Sequence, residues 1–267
     1  MPVQGGGLEI KMKIAYIGID LFYDALSSLY ECGCEIAEIF TCETDNVSEF
    51  NVKILNFAKQ HNIPHTTNRI TAADIERLMN NGTYAAVCGG YYYKIPVIEG
   101  FRAVNIHPSL LPEGRGSWPM PQTILWGLKE SGVTVHKIAE GFDTGDILLQ
   151  KRFPVSADET LETFMNKACA LLPDMMRKLT ENFFDLWENA SPQQGGSYWA
   201  APCEADWTVR FDMPLSEADR ILRAFYGYET VYIAENGEKF RMLRAAADEK
   251  CGQFPLKGGF VSAKKLL

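Results

Sequence analysis

Short apolar runs alternate with amphipathic stretches through the first half of the chain. The apolar runs have the length of buried strands and occupy residues 13–19, 34–40, 84–90 and 101–107. Apolar residues at helical spacing predict helices over residues 21–30 and 51–63, and a third helix is expected from a capping signal at Thr71 and Asp74 to Gly82. Strands that alternate with helices are typical of an α/β protein, so we expect a doubly wound, mostly parallel sheet.

The second half of the chain has a different pattern. Apolar strands over residues 132–138 and 146–155 are separated by a short turn, which predicts a β-hairpin. Ser156 and Glu159 have the form of a capping box, so a long helix is expected to begin there. Methionine and aromatic residues at helical spacing give this helix a buried face, and Pro173 is expected to bend it.

Composition divides the chain into four segments. Residues 1–11 are expected to be an N-terminal extension, residues 12–189 the main domain, and residues 190–206 a linker, because turn-forming residues are frequent there. Residues 207–267 are expected to form a small C-terminal domain with one helix and a hairpin at an Asn-Gly pair. The pattern shows fewer strands than the five of an OB-fold, so we expect a β-containing, truncated OB-like appendage.

The charge balance of the 267-residue chain weighs against a polyanionic partner. Lys and Arg number 26 against 34 Asp and Glu, which gives a net charge of -8, and the sequence shows no basic stripe of the kind that nucleic-acid-binding proteins carry. No apolar run approaches the roughly 18 residues of a membrane span, and glycines stand where a signal peptide would have its apolar core, so we expect a cytoplasmic protein. Seven scattered cysteines without a CxxC pair predict reduced thiols and no metal site.

One strand end carries two polar side chains in the otherwise apolar stretch NIHPSLLP. Alternate residues of a strand share a face, so Asn105 and His107 point to the same side, and Pro108 ends the strand. Because ligands of open α/β sheets bind at the carboxyl ends of strands, this pair is a candidate site. Asp143, in the turn EGFDTGD, is the candidate carboxylate partner, and it is expected to raise the pKa of His107 and fix the tautomer of the ring.

These residue types also suggest a chemistry. An asparagine amide and an imidazolium together can hold a developing oxyanion. The sequence does not place a serine or cysteine beside an activating histidine, so a covalent intermediate is not indicated. We therefore expect direct attack of a bound amine or a water molecule on a carbonyl group.

The motif NIHPSLLP, the Arg-Gly pair that follows it and the stretch GVTVHKIAEGFDTGDILLQ together resemble the 10-formyltetrahydrofolate-dependent formyltransferases. This family includes methionyl-tRNA formyltransferase, glycinamide ribonucleotide formyltransferase and the amino-sugar N-formyltransferases. The resemblance covers residues 13–189 and continues more weakly through residues 206–225. It implies a Rossmann-like fold of the formyltransferase type, 10-formyltetrahydrofolate as co-substrate, and no metal.

The resemblance matches Asn105, His107 and Asp143 to the family's catalytic triad. In the implied mechanism an acceptor amine attacks the formyl carbon, Asn105 and His107 stabilise the oxyanion, and Asp143 keeps His107 charged and helps to move protons. Thr134 is implied to support a bound water molecule. His136, on the same predicted strand as Thr134, is expected to be an ordinary strand histidine with satisfied hydrogen bonds.

The family's folate pocket and acceptor side correspond to loops of this sequence. The residues implied to bind folate are Tyr91, Tyr92, Ile95 and Ile98 as apolar walls, with Ala139, Glu140 and Gly141 acting mainly through their backbone. The residues implied to line the acceptor side are Arg115, Gly116 and Ser117. Arg115 is expected either to contact an anionic substrate or to brace its own loop.

Three functions fit this interpretation. The first is formyl transfer to a small primary amine, such as a nucleotide-linked amino sugar, and the second is formylation of methionyl-tRNA. The third is hydrolysis, in which water attacks the same carbonyl and formate leaves. The acidic charge balance and the low predicted strand count of the C-terminal segment weigh against tRNA. The hydrolases of the family typically carry an additional N-terminal regulatory domain, which is not expected here.

Sugar-modifying relatives often pair through C-terminal elements, so a homodimer also fits.

Overall fold

The structure, a computed structural model, describes residues 12–266, which form two β-sheets with helices packed against both. The predicted extension over residues 1–11 lies outside the described residues, as does residue 267. The strands of the first sheet are β1 (Lys13–Gly18), β2 (Glu35–Phe40), β3 (His65–Thr66), β4 (Ala85–Gly89), β5 (Arg102–His107), β6 (Glu130–Lys137) and β7 (Ile147–Pro154). Their order across the sheet is β3-β2-β1-β4-β5-β6-β7.

Five neighbouring strands of this sheet run parallel, and the two at one edge run antiparallel. The predicted mostly parallel sheet is therefore confirmed, and the predicted hairpin is confirmed as β6 and β7. Because β6 runs back along β5, its register sets Asn105 opposite His136 and His107 opposite Thr134. Polar side chains from two strands therefore meet at the carboxyl end of β5.

Helices cover both faces of the first sheet. They are α1 (Tyr23–Glu31), α2 (Val52–Gln60), α3 (Ala72–Asn80), α4 (Pro119–Leu125), α5 (Leu161–Glu181) and α6 (Phe183–Glu188). Side chains alternate along β1, so that Ile14 and Tyr16 join a core with α1, α2 and α5, whereas Ala15 and Ile17 join a core with α3. None of the helices within residues 12–266 is long and apolar enough to cross a membrane.

The N-terminus of α5 differs from the expectation. Its capping box consists of Thr160 and Thr163, not of Ser156 and Glu159. The carboxylate of Glu159 is buried, where it accepts hydrogen bonds from the Ser156 amide (2.9 Å) and from the Thr163 hydroxyl (2.5 Å) and pairs with Lys167. Residues 156–159 therefore form a turn that precedes the helix, and α5 then continues through Pro173 to its end.

The second sheet has five strands, which is more than the sequence pattern showed. They are β8 (Thr208–Arg210), β9 (Glu229–Ile233), β10 (Lys239–Asp248), β11 (Phe254–Leu256) and β12 (Gly259–Leu266), with α7 (Leu215–Ala224) packed against them. Their order is β11-β12-β10-β9-β8. The predicted β-containing appendage is confirmed, and the sequence pattern did not show β8 and β11 because they have three residues each, too few for a periodic pattern. Pro255 is tolerated because β11 lies at an edge.

The segment predicted as a linker is bound to the first domain along much of its length. We call residues 191–200 the strap. Its Ser191 exchanges two backbone hydrogen bonds with Ile147, of 2.8 and 2.9 Å. Further along, the Arg115 amide donates to the Ser197 carbonyl (3.0 Å) and the Trp199 amide donates to the Arg115 carbonyl (2.7 Å). The strap is therefore hydrogen-bonded to the loop that follows β5 and holds it in place, whereas a flexible linker would make no such contacts.

Candidate active site

Asn105 and His107 lie at the carboxyl end of β5, at the floor of a cavity of about 490 Å³. Both side chains leave the same face of the strand, as its alternation requires, and Pro108 follows at the point where the strand ends. His136 reaches the same cavity from the neighbouring strand β6. The sheet itself thus supplies one amide and two imidazole rings.

Asp143 enters the site from the loop between β6 and β7. Its Oδ1 atom lies 3.4 Å from Asn105 Nδ2, 3.6 Å from His107 Nδ1 and 3.5 Å from His136 Nε2. Its Oδ2 atom accepts a hydrogen bond of 2.9 Å from the Gly116 amide. The structure therefore brings together the three side chains that the sequence selected, with His136 as a fourth.

Two glycines allow the backbone to approach this site closely. A Cβ atom on Gly116 would lie 2.3 Å from the carbonyl oxygen of Trp199 in the strap, and the φ of Gly116 is +121°. A Cβ atom on Gly145 would lie 1.9 Å from the carbonyl oxygen of Lys137. A larger residue at position 116 would push its loop away from the strap, and one at position 145 would push the Asp143 turn away from the end of β6.

Two main-chain carbonyls determine where the histidines carry their hydrogens. His107 Nε2 lies 2.7 Å from the Gly114 carbonyl oxygen, and His136 Nδ1 lies 2.8 Å from that of Lys137. Because a carbonyl oxygen only accepts hydrogen bonds, we assign a hydrogen to each of these nitrogens. In the neutral rings the opposite nitrogens carry no hydrogen, and both face Asp143. A proton added to either ring would complete an ion pair with that carboxylate.

Burial makes His107 less basic than a free histidine. Its side chain is 5% exposed, and this loss of solvation lowers its pKa below the usual 6.5, although Asp143 and the Gly114 carbonyl act in the opposite direction. Asp143 thus raises the pKa of His107 as expected, but the larger effect of burial makes the net shift downward. His107 is uncharged at neutral pH in this structure, so its Nδ1 atom, which faces Asp143, is available to accept a proton.

Asp143 is a stronger acid than a free carboxyl group. Burial alone would raise its pKa, but the hydrogen bond that His136 donates when protonated, the charge that His107 carries when protonated and the Gly116 amide outweigh that effect. Together they lower the pKa of Asp143 from 3.8 to about 2. The resting site therefore contains a charged carboxylate beside an uncharged His107 ring.

Most of the residues implied to bind folate line the cavity. They are Tyr91, Tyr92, Ile95, Ala139, Glu140 and Gly141. Ile98 does not line the cavity, so the expectation for this residue is wrong. Its side chain packs against the core beneath α3. The loop turns away from the cavity after Ile95, and the Ile98 carbonyl accepts a backbone bond of 3.1 Å from Phe101 at the start of the next strand.

The implied acceptor side is divided in the same way. Gly116 and Ser117 line the cavity, whereas Arg115 does not. The Arg115 guanidinium donates to Gln193 Oε1 (2.9 Å) and to the Gly195 carbonyl (3.0 Å), both in the strap. Arg115 therefore braces its loop, and the alternative of an anion contact is not supported.

Thr134 is fully buried and is occupied by protein partners. Its hydroxyl donates to the Ser109 carbonyl (2.7 Å) and accepts from Gln150 Nε2 (2.9 Å) and the Leu111 amide (3.3 Å). This leaves no lone pair for the implied water molecule. The structure gives Thr134 a role in holding the loop after β5.

Several residues that the sequence analysis did not assign to the site also line the cavity. They include Glu49, Trp118, His136, Tyr198 and Tyr228. His136 was interpreted as an ordinary strand histidine, although pairing the predicted hairpin with β5 would have signalled its position. Tyr228 comes from the C-terminal domain, just before β9, and no local pattern connects it to the site. No group of three or more metal-ligating side chains was found within residues 12–266.

Comparisons with known proteins agree with this fold. The sequence model described as "Formyl transferase" matches residues 69–178. Methionyl-tRNA formyltransferase of Ehrlichia ruminantium (strain Gardel) is 31% identical over 185 residues, which cover 68% of this chain and 60% of that relative. The aligned part is thus less than two-thirds of the relative's length.

Solved structures share the fold at lower sequence identity. WlaRD, a sugar 3N-formyl transferase crystallised in the presence of dTDP and 5-N-formyl-THF, has a TM-score of 0.66 at 20% identity, with 96% of this chain and 98% of WlaRD covered. HypX from Aquifex aeolicus in complex with tetrahydrofolic acid has a TM-score of 0.70 at 16% identity, with 92% of this chain and 40% of HypX covered.

The fold and the site together define a protein of the formyltransferase class. The chain belongs to the formyltransferase family.

Proposed function

We propose that this protein transfers a formyl group from 10-formyltetrahydrofolate to the nitrogen of a small primary amine. The observation that carries the proposal is the convergence of Asn105 and His107 on Asp143 at a cavity, with Asn105 Nδ2 3.4 Å and His107 Nδ1 3.6 Å from Asp143 Oδ1. An amide donor, a proton acceptor and a carboxylate are the groups that an amine needs to attack a carbonyl without a covalent enzyme intermediate.

The chemistry follows from the hydrogen positions. The amine nitrogen attacks the formyl carbon, and the oxygen that becomes negative accepts a hydrogen bond from Asn105 Nδ2. The proton lost by the amine passes to His107 Nδ1, where Asp143 stabilises the resulting charge. When the intermediate collapses, the bond between the formyl carbon and N10 breaks, and N10 takes the proton. The products are a formamide and tetrahydrofolate.

The charges of the cavity favour a small acceptor over a polyanion. Among the described lining residues, Glu49, Glu140 and Asp143 are acidic, and Lys94 already forms an ion pair of 3.1 Å with Glu140. A phosphate group inside the cavity would therefore meet carboxylates without a cation to offset them. If the acceptor is a nucleotide-linked amino sugar, the amine enters the cavity and the phosphates stay outside it.

Methionyl-tRNA is the second candidate acceptor. The relative that is 31% identical carries that name, and the five-stranded second sheet removes the objection that the C-terminal domain is too short. The net charge of -8 still opposes binding of a large polyanion. Hydrolysis of the formyl group by water is the third candidate, since His107 Nδ1 can also activate a water molecule.

One assay separates these candidates. Purified protein and 10-formyltetrahydrofolate are incubated with a set of nucleotide-linked amino sugars, with methionyl-tRNA, or with buffer alone, and both tetrahydrofolate and formylated product are measured. Saturable formylation of an amino sugar is the expected result. Saturable formylation of tRNA that falls steeply with salt would favour the second candidate, and formate release in buffer alone would favour the third.

The Asn105→Ala variant provides the control for chemistry at this site. Removal of one oxyanion donor costs about 10²–10³-fold in kcat, and the buried surroundings of Asn105 make that magnitude the expected one here. Turnover near the unmodified level in Asn105→Ala would contradict the proposed site even if formylation were observed.

A further inference from the structure

A glutamine in the strap connects the two loops that complete the site. Gln193 Nε2 donates to the Asp143 carbonyl (2.8 Å) and to the Gly145 carbonyl (2.7 Å). Gln193 Oε1 accepts from Arg115 Nε at 2.9 Å. Both amide hydrogens and one lone pair of the amide oxygen therefore take part in hydrogen bonds. Their partners, Arg115, Asp143 and Gly145, all belong to the loops around the site.

The backbone that Gln193 holds is unfavourable by itself. Asp143 has a φ of +56°, in the left-handed region where residues other than glycine are uncommon. Aspartate tolerates this conformation better than most residues, but a loop of this kind persists only when its surroundings fix it. The two hydrogen bonds from Gln193 reach the carbonyl of Asp143 itself and that of Gly145, so they act on the strained turn directly.

The other end of the connection reaches the same carboxylate. Arg115, which Gln193 holds, precedes Gly116, and the Gly116 amide donates to Asp143 Oδ2 at 2.9 Å. The contacts thus form a closed ring from Gln193 through Arg115 and Gly116 to Asp143 and back to Gln193. Loss of the Gln193 amide would open this ring at both loops at once.

We propose that Gln193 is a positioning residue, which keeps the Asp143 carboxylate between His107 and His136 by clamping the Asp143 turn to the Arg115 loop. The importance of this role for catalysis rests on the proposed formyl transfer, whereas the clamp itself does not. Gln193 does not line the cavity, so it is expected to act on turnover and not on folate binding.

The test compares three variants of the full chain. Gln193→Met keeps a side chain of similar length without the amide. Gln193→Glu keeps an acceptor for Arg115 but turns a carboxylate oxygen toward two carbonyls. Gln253→Met is the matched control, because Gln253 is exposed and accepts a bond from the Ala263 amide within the second sheet.

Two readouts distinguish a positioning role from a structural one. The first is the amide resonance of Gly116 in the folate-free protein, whose shift reports the hydrogen bond with Asp143. The second is the division of the kinetic effect between kcat and KM. For both Gln193 variants we expect the resonance to move and kcat to fall about 10–100-fold, with KM for the folate changed by less than about twofold. Gln253→Met is expected to change neither.

Two results would overturn the proposal, one from the Gly116 resonance and one from kcat. An unchanged Gly116 resonance in either folded Gln193 variant would show that the clamp does not hold the carboxylate. A moved resonance with unchanged kcat would show that holding it does not matter for turnover. If the unmodified protein transfers no formyl group, the proposed function fails, and the resonance alone then decides whether the clamp exists.

Discussion

Asn105 Nδ2 lies 3.2 Å from His136 Nε2, across the antiparallel strands β5 and β6. Because the other nitrogen of His136 donates to a main-chain carbonyl, the Nε2 atom accepts this bond and orients the Asn105 amide. His136 therefore aligns the donor that would stabilise the oxyanion, and it also lies beside Asp143.

The first prediction follows from this contact. His136→Phe keeps a ring of similar shape but removes the acceptor, so the Asn105 amide loses its orientation. We expect kcat to fall about 10–100-fold in this variant. His65→Phe is the control, since His65 is exposed and its ring Nδ1 lies 3.0 Å from the Ile63 carbonyl oxygen, away from the site. Equal turnover in the two variants would mean that His136 is an ordinary strand histidine after all.

The second prediction concerns the dependence of the rate on pH. Burial lowers the pKa of His107 below 6.5, and the proposed reaction needs the ring uncharged. We therefore expect kcat/KM to decrease as the pH falls through that lowered pKa, and to be constant from pH 6.5 to pH 7.5. A profile that instead decreases as the pH rises toward 7.5 would show that the charged ring is the active form.

The third prediction concerns stability in acid. The carboxyl of Asp143 has a pKa of about 2 in the folded protein and an ordinary value near 3.8 when unfolded, so its charged form stabilises the fold above pH 4. That stabilisation, about 2 kcal/mol in total, is lost as the pH falls from about 4 to about 2.

Urea unfolding of the unmodified protein and of Asp143→Asn measures this effect. The unmodified protein is expected to lose about 1 kcal/mol more than the variant between pH 6 and pH 3, because only it carries the titrating group. Parallel loss in both proteins would mean that Asp143 has an unshifted pKa.

The fourth prediction separates a structural role from a catalytic role for Thr134. Thr134→Val leaves a buried carbonyl and two donors without their partner, which is expected to cost about 1–3 kcal/mol in the free energy of unfolding. Activity of the folded variant is expected to stay within about twofold. Thr180→Val is the control, since the hydroxyl of Thr180 bonds mainly within its own helix. A large loss of kcat at normal stability would restore a water-binding role.

The fifth prediction concerns the contribution of the second domain to acceptor binding. Tyr228 lines the cavity and packs edge-on against Trp118, with ring centroids 4.7 Å apart. In Tyr228→Ala we expect KM for the acceptor to rise about tenfold, with folate affinity changed by less than twofold. Tyr226→Ala, two residues away and outside the cavity lining, is the control. Equal effects of both variants would point to general disturbance of the second sheet.

The local parts of this site were accessible from the sequence. The two-residue period of β5 and the proline after it were enough to place Asn105 and His107 on one face. The glycines around Asp143 identified its turn. These features depend on a few neighbouring residues, so a single sequence carries them.

The parts that depend on tertiary structure were not accessible. The role of His136 follows from the register of β6 against β5, and the contribution of Tyr228 from the packing of two domains. The sequence indicated that Asp143 raises the pKa of His107, but it did not reveal the larger opposite effect of burial, which is a property of the whole fold. Ile98 was assigned to the cavity because the path of its loop cannot be derived from composition.

The position of the strap in the chain has a consequence for biosynthesis. All seven strands of the first sheet have been synthesised, together with Asn105, His107 and Asp143, once the ribosome has added Pro154. Gln193 and Tyr228 are added only later. A nascent chain that has folded its first sheet therefore holds the reactive groups without the residue that clamps Asp143 and without one wall of the cavity, so assembly of a competent site comes last.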